Sequence, residues 1–156
     1  MINIRKLEKK DNEYLNKLIN DDALNYQEFL SIGWSLKEIN NQFNKCTNLA
    51  YGAFHNNLLI SFIIGDLINI EKMSEYEILL IYVSKHYRKK GLGTKLLEEI
   101  EKNNNYLKKI HLEVSQNNLE GISFYKKMGF RKIYIRKDYL LIKNKKVDSI
   151  VMFKNF

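Results

Sequence analysis

The chain has 156 residues, no proline and a single cysteine, Cys46. One cysteine excludes an internal disulfide framework and suits a reducing compartment. No apolar run approaches the roughly 18 residues that cross a bilayer, so no membrane span is expected. The N-terminus, Met1-Ile2-Asn3-Ile4-Arg5, alternates apolar and polar residues, which is the pattern of a first strand and not of a signal peptide. The cytoplasm is therefore the expected location. No linker, repeat or low-complexity tract divides the sequence, and one domain over residues 1–156 is expected. The histidines His55, His86 and His111 lack metal-ligand spacing, so no metal is expected either. Cys46 reads as a small buried apolar residue.

Hydrophobic residues make up 45% of the chain, a globular proportion that is too high for a disordered segment. The formal charge of +8 favours an anionic partner such as a nucleotide cofactor. Abundant Lys, Asn and Ile without proline is also what an AT-rich genome encodes. Charge alone thus makes no case for nucleic acid, and none is expected as a partner.

Strands are predicted at Ile2 to Leu7, Leu49 to His55, Leu58 to Leu67, Glu77 to Ser84, Lys109 to Ser115, Lys132 to Ile142 and Ser149 to Phe153. Asn56-Asn57 is the best hairpin signal among them. Tyr14, Leu15, Leu18 and Ile19 recur at helical spacing, and Ser35 with Glu38 forms a capping box ahead of a second helix. A third helix follows Gly91 and Gly93 and carries Leu92, Leu96, Leu97 and Ile100 on one face. A fourth carries Leu119, Ile122, Tyr125 and Met128 and stops at Gly129. The order β-α-α-β-β-β-α-β-α-β-β predicts one mixed sheet of about seven strands with helices packed on it.

The sharpest local feature is a strand, a basic turn and a helix start: Ile81-Tyr82-Val83-Ser84, then Arg88-Lys89-Lys90-Gly91-Leu92-Gly93, then Thr94 onward. Unpaired amides and partial positive charge make a helix start an anion site, and glycine lets the anion approach the backbone. A P-loop does not fit, because Gly93-Thr94-Lys95 is in the wrong order and no glycine stands five residues before Gly93. A dinucleotide loop fails because position 96 is Leu. An ordinary helix start with solvated lysines remains the plain alternative.

Arg88, Gly91 and Gly93 meet the pattern [RQ]-x-x-G-x-[GA], and with it the chain resembles the GNAT acetyltransferases. Leu112-Glu113-Val114 with Asn118, Phe124-Tyr125 and Met128-Gly129-Phe130 resembles the second half of that family. Ile135 to Tyr139 and Asp148 to Met152 are similar to its RimI type, which acetylates the N-terminal amine of a ribosomal protein. RimI-like members have two adjacent tyrosines in the late hairpin, where this chain has Tyr139-Leu140.

The resemblance implies the GNAT fold, a mostly antiparallel sheet with helices on both faces, and acetyl-CoA as cofactor. It implies backbone contacts to the pantetheine arm from Ile81, Tyr82 and Val83. The pyrophosphate would lie on Arg88, Lys89, Lys90, Gly91, Leu92, Gly93 and Thr94, with a further contact from Asn118. Tyr125 would be the proton donor to the departing thiolate, Glu113 the general base and Glu77 a second candidate base. Tyr134, Arg136, Tyr139 and Trp34, with a loop around Tyr26 to Trp34, would wall the acceptor, whose amine is expected to be a protein N-terminus.

Read without the family, Glu113 and Glu77 are solvated strand residues and Tyr125 packs in a helix row with Leu119, Ile122 and Met128. His111 is expected to face away from the Glu113 side. A small-molecule N-acetyltransferase for a polyamine, aminoglycoside or amino acid is the alternative enzyme. A non-catalytic acyl-CoA-binding module is the alternative outside catalysis, though it would not require Tyr125, Glu113 and Glu77 together.

Overall fold

Alternating apolar residues and paired turn residues build the sheet. Strand β1 (Ile2–Lys6) lies beside β2 (Asn48–His55), which turns through Asn56-Asn57 into β3 (Leu58–Ile70). Both asparagines stand at positive φ, 50° and 61°, the tight turn that a right-twisted hairpin prefers. β4 (Met73–Val83) follows, β5 (Leu107–Ser115) joins it in parallel, and β7 (Lys145–Asn155) and β6 (Arg131–Ile142) complete the order β1-β2-β3-β4-β5-β7-β6. Every other pairing is antiparallel, so the seven-stranded mixed sheet matches the expectation. The computed structural model describes the backbone of residues 1–156 and all side chains except those of Ala23 and Asn25.

Helices α1 (Asn12–Asp21), α2 (Ala23–Ser31) and α3 (Leu36–Gln42) pack Leu15, Ile19, Phe29 and Ile39 against one face of β2 to β4. Helices α4 (Leu92–Lys102) and α5 (Leu119–Lys127) bury Leu96, Leu97, Ile100 and Tyr125 on the other face. Helix α2 corrects the expected loop around Tyr26 to Trp34. Its apolar residues point in several directions, with Phe29 buried but Leu24 83% exposed, so no amphipathic stripe announces it. It is held through its neighbours instead: the Tyr26 hydroxyl accepts from the Leu36 amide at 3.3 Å, and Gly33, left-handed at φ 89°, ends the segment. Cys46 is exposed, not buried as expected, because it lies in the turn between α3 and β2.

One irregularity shapes everything that follows. The β3–β4 register runs from Ile64↔Leu80 to Gly65↔Ile78, so Leu79 bulges out of β4. The bulge swaps faces. Tyr76 and Ile78 belong to the core under α4 and α5, whereas Leu80 and Tyr82 belong to the core under α1 to α3. A Cβ on Gly65 would collide with the Glu77 carbonyl, which explains the glycine opposite the bulge. The β4–β5 pairing also ends there, at Ile78↔Leu112, although β4 continues to Val83 and β5 to Ser115. The sheet therefore splits between two strands that should be neighbours.

Candidate active site

The split leaves one edge of β4 without a strand partner from Leu79 onward. The Ser84 amide donates to the Ile60 carbonyl at 2.9 Å, so residues of that parity turn their backbone groups to β3. Ile81 and Val83 accordingly turn theirs into the split, and Tyr82 does not. The Val83 carbonyl accepts from Arg88 Nε at 3.0 Å, which ties the basic loop to the end of the strand. The Tyr82 side chain is buried on the α1–α3 side with its hydroxyl on Asp22; burial, then that bond, pushes its pKa up.

The loop itself is built to present amides. Lys89 and Gly91 are left-handed, at φ 59° and 77°, the conformation from which anion-binding nests are made. As α4 begins, the Lys95 amide donates to the Gly91 carbonyl at 3.0 Å, so the Leu92, Gly93 and Thr94 amides precede the ladder. The two glycines do different jobs. A Cβ on Gly91 would meet nothing within 4 Å, so its backbone conformation is what demands glycine. A Cβ on Gly93 would stand 3.2 Å from Phe124 Cζ, so there the demand is close packing of α4 on α5. Lys89 and Lys90 are exposed, and Thr94 Oγ1 lies 3.5 Å from Met128 Sδ. The open strand edge, the free amides and the three cations together fit a long anionic cofactor with an amide-bearing arm, which is the chemistry of acetyl-CoA.

Tyr125 lies on α5 beside this groove, buried, with its ring edge-on to Phe124 at 5.3 Å and Phe130 at 5.5 Å. Burial raises its pKa, so the hydroxyl keeps its proton at physiological pH. Among the described residues no protein group accepts from it. Asn118 is the N-cap of α5, and its Oδ1 accepts from the Gly121 amide at 2.9 Å. That leaves the Asn118 amide nitrogen, not the oxygen, for any cofactor contact.

Glu113 faces the opposite side of the sheet. Its Oε1 lies 3.0 Å from Arg136 Nη1 and its Oε2 accepts from Ser149 Oγ at 3.0 Å. Arg136 reaches it across β7, passing over the fully buried Ser149, and also bonds the Tyr134 hydroxyl at 3.2 Å. The Arg136 guanidinium lies 4.9 Å from the Tyr139 ring centroid and 5.7 Å from that of Tyr134. These contacts, Tyr134 first and Glu113 next, hold its pKa above the ordinary value. Glu77 pairs across the sheet with His111, and alternation puts Glu77, His111 and Glu113 on one face. This corrects the expectation for His111, which stands two residues from Glu113 and so shares its face. Trp34, like Tyr26 and Leu36, packs partly buried on the α1–α3 core.

Two supports were not anticipated from the sequence. Tyr87, just before Arg88, has its hydroxyl 2.6 Å from His55 Nδ1, and Lys90 Nζ lies 5.5 Å from its ring centroid. Ser149 lies in the stretch Asp148 to Met152 that resembles the RimI type, but no role was expected of it. A depression of about 330 Å³ at Met1, Arg5, Tyr14 and Asn57 lies at the β1 edge, far from the split, and its Arg5 is already paired with Asp11. Among the described residues, no group of three or more His, Cys, Asp or Glu could hold a metal ion, and no helix is long and apolar enough to cross a membrane.

Comparison with known proteins identifies a family. The model of the Acetyltransferase (GNAT) family matches residues 15–130. A probable N-acetyltransferase of Drosophila melanogaster is 32% identical over 95 residues, 58% of this chain and 51% of that protein. An N-alpha-acetyltransferase of Saccharolobus solfataricus is 39% identical over 62 residues, 38% of this chain and 37% of that protein. The match thus spans about half or less of these curated relatives. Among solved structures, the ribosomal-protein-S18-alanine N-acetyltransferase of Escherichia coli superposes with a TM-score of 0.76 at 25% identity, covering 99% of this chain and 94% of that one. Arabidopsis thaliana NAA60, solved with acetyl-CoA, superposes with a TM-score of 0.80 at 21% identity, covering 100% and 99%.

Proposed function

Since the chain belongs to the GNAT family of acetyltransferases, we propose that it transfers the acetyl group of acetyl-CoA to the α-amine of a protein N-terminus. The observation that carries the reading is the split between β4 and β5, with amides at its mouth and Glu113 on the sheet face across from Tyr125. Acetyl-CoA supplies an acetyl group activated as a thioester. The backbone of Ile81 and Val83 and the loop from Arg88 to Thr94 bind and align that cofactor, and Asn118 adds a contact through its amide nitrogen.

A free α-amine has a pKa near 8, so a positioned carboxylate suffices to take its proton. Glu113 is that carboxylate, with Glu77 on the same face as the second candidate. An amide on β4 steadies the negative oxygen that develops during transfer. Tyr125, kept protonated by burial, meets the departing sulfur as an intact O–H donor. Tyr134, Arg136 and Tyr139 form the acceptor wall on the late hairpin; Trp34 acts behind it, through the α1–α3 core.

Acetylation of a polyamine or aminoglycoside is the less supported alternative. Such polycations are drawn by unpaired acidic clusters, whereas here the acceptor-side carboxylate Glu113 already carries Arg136. A panel of N-terminal peptides beginning with Ala or Ser, spermidine and an aminoglycoside, followed by thiol release from acetyl-CoA, tests the assignment. Peptides should turn over fastest. Spermidine or the aminoglycoside turning over far faster than every peptide would overturn the N-terminal reading and leave the family intact.

A further inference from the structure

Both oxygens of Glu113 are already engaged. Arg136 occupies one and Ser149 the other, both at 3.0 Å. An acceptor amine arrives at neutral pH mostly as an ammonium ion, and a base must be reachable before it can take the proton. Ser149 donates a neutral hydroxyl from beneath and is fully buried, so it is fixed in place. Arg136 is different. It is a partly exposed cation, and it already holds Glu113 Oε1, an oxygen that an arriving ammonium would seek.

Its surroundings allow it to leave. The pair is half-exposed, at 38% for Arg136 and 27% for Glu113, and ion pairs that exposed contribute little and are easily exchanged. The strand carrying Arg136 slips register between Arg136 and Leu140, with Asp138 left-handed at φ 52°, so β7 does not clamp the segment at each residue. The rings of Tyr134 and Tyr139 already flank the guanidinium and can hold it by cation–π attraction once Glu113 is given up. One side chain thus has two sets of partners, a carboxylate and an aromatic pair.

From this the geometry points to Arg136 as a displaceable latch on the acceptor seat. In the free protein it neutralises Glu113; an arriving ammonium takes its place at the carboxylate, and Arg136 retreats onto Tyr134 and Tyr139. The carboxylate then receives one proton from the ammonium, leaving a neutral amine and a neutral carboxylic acid. Arg136 is a specificity-determining residue here and not a base: it makes every acceptor compete with an internal cation, which penalises amines that lack further contacts with the wall.

The inference rests on Glu113 being the acceptor-side base, and the test separates the two. Arg136→Met keeps a long stem over Ser149 but removes the charge. It should lower the KM of the best acceptor in the panel and raise kcat/KM roughly two- to fivefold, the range expected for release of one exposed pair. Arg136→Lys, which keeps a competing cation, should lower the acceptor KM less than Arg136→Met does. Acetyl-CoA affinity by calorimetry should be unchanged in both. A higher acceptor KM in Arg136→Met, with Glu113→Gln still crippling turnover, would make Arg136 an ordinary contact and overturn the latch alone. Full turnover in Glu113→Gln would instead remove the base and the latch with it.

Discussion

Replacing Tyr125 with Phe removes one oxygen and leaves the rest of the packing in place. The ring touches Phe124 and Phe130 edge-on and lies in the core under α4 and α5, and all of that is retained in the variant. The hydroxyl gives no hydrogen bond to a protein group among the described residues, so its removal orphans nothing. The stability change should be under about 1 kcal/mol, the scale of a single ordinary hydrogen bond. A donor that acts on the departing sulfur is worth far more in the transition state. We expect kcat to fall roughly 10²-fold, about 2.7 kcal/mol in the barrier, with acetyl-CoA affinity nearly intact. Thiol release gives kcat, calorimetry gives the affinity and a thermal melt gives the stability, all on one preparation. Retained kcat with a lowered melting temperature would refute the donor role and return Tyr125 to plain packing.

Gly91→Val should lower acetyl-CoA affinity at least about tenfold, or 1.4 kcal/mol, because a β-branched residue resists the left-handed backbone that aims the loop; unchanged calorimetric affinity in a folded variant would end the loop assignment. Glu113→Gln should cut turnover more than Glu77→Gln, with partial recovery at high pH, where the amine deprotonates unaided; equal small losses would make water the proton acceptor. Asp11 is buried, gripped by Arg5 Nη1 and Nη2 at 2.9 and 2.8 Å, and that hydrogen bonding holds its carboxyl below the ordinary value. A depressed carboxyl stabilises the fold above its unfolded pKa of about 3.9 and loses that contribution as pH falls through the lower folded value. Asp11→Asn should therefore lower the melting temperature by about 5 °C at pH 7 and flatten its fall below about pH 4; an unaltered acid slope would contradict this.

Local chemistry was legible wherever a residue type alone fixes the backbone. Asn56-Asn57 turns a hairpin at positive φ, Ser35 Oγ caps α3 through the Glu38 amide at 3.1 Å, and Gly129 at φ 91° stops α5. The basic glycine loop could be placed for the same reason. What stayed hidden depends on partners distant in sequence. Tyr76, Ile78, Leu80 and Tyr82 alternate as if on one face, yet the Leu79 bulge sends them to two cores, and only the register with β3 reveals it. The Glu113–Arg136 pair needs β6, β7 and β5 side by side before the two residues can meet. Helix α2 was missed because its stability comes from contacts at Phe29 and Tyr26 and not from its own pattern.

The parting of β4 from β5 also bears on the order in which the chain assembles. β2, β3 and β4 form a meander of short connections, which closes quickly because little chain entropy is lost per contact. β5 is joined to β4 through the longer α4 crossover, which costs more chain entropy to close, and it pairs no further than Ile78↔Leu112. On contact order, the groove is expected to occupy the seam between an earlier-forming unit and a later one. A ligand laid along it would supply rungs that the two strands do not make for each other, stabilising the docked state in proportion to ln(1 + [L]/Kd). Amide hydrogen exchange should then slow most at Ile81 and Val83, and across β5 as a block, when acetyl-CoA is added, while the β2–β3 hairpin changes little.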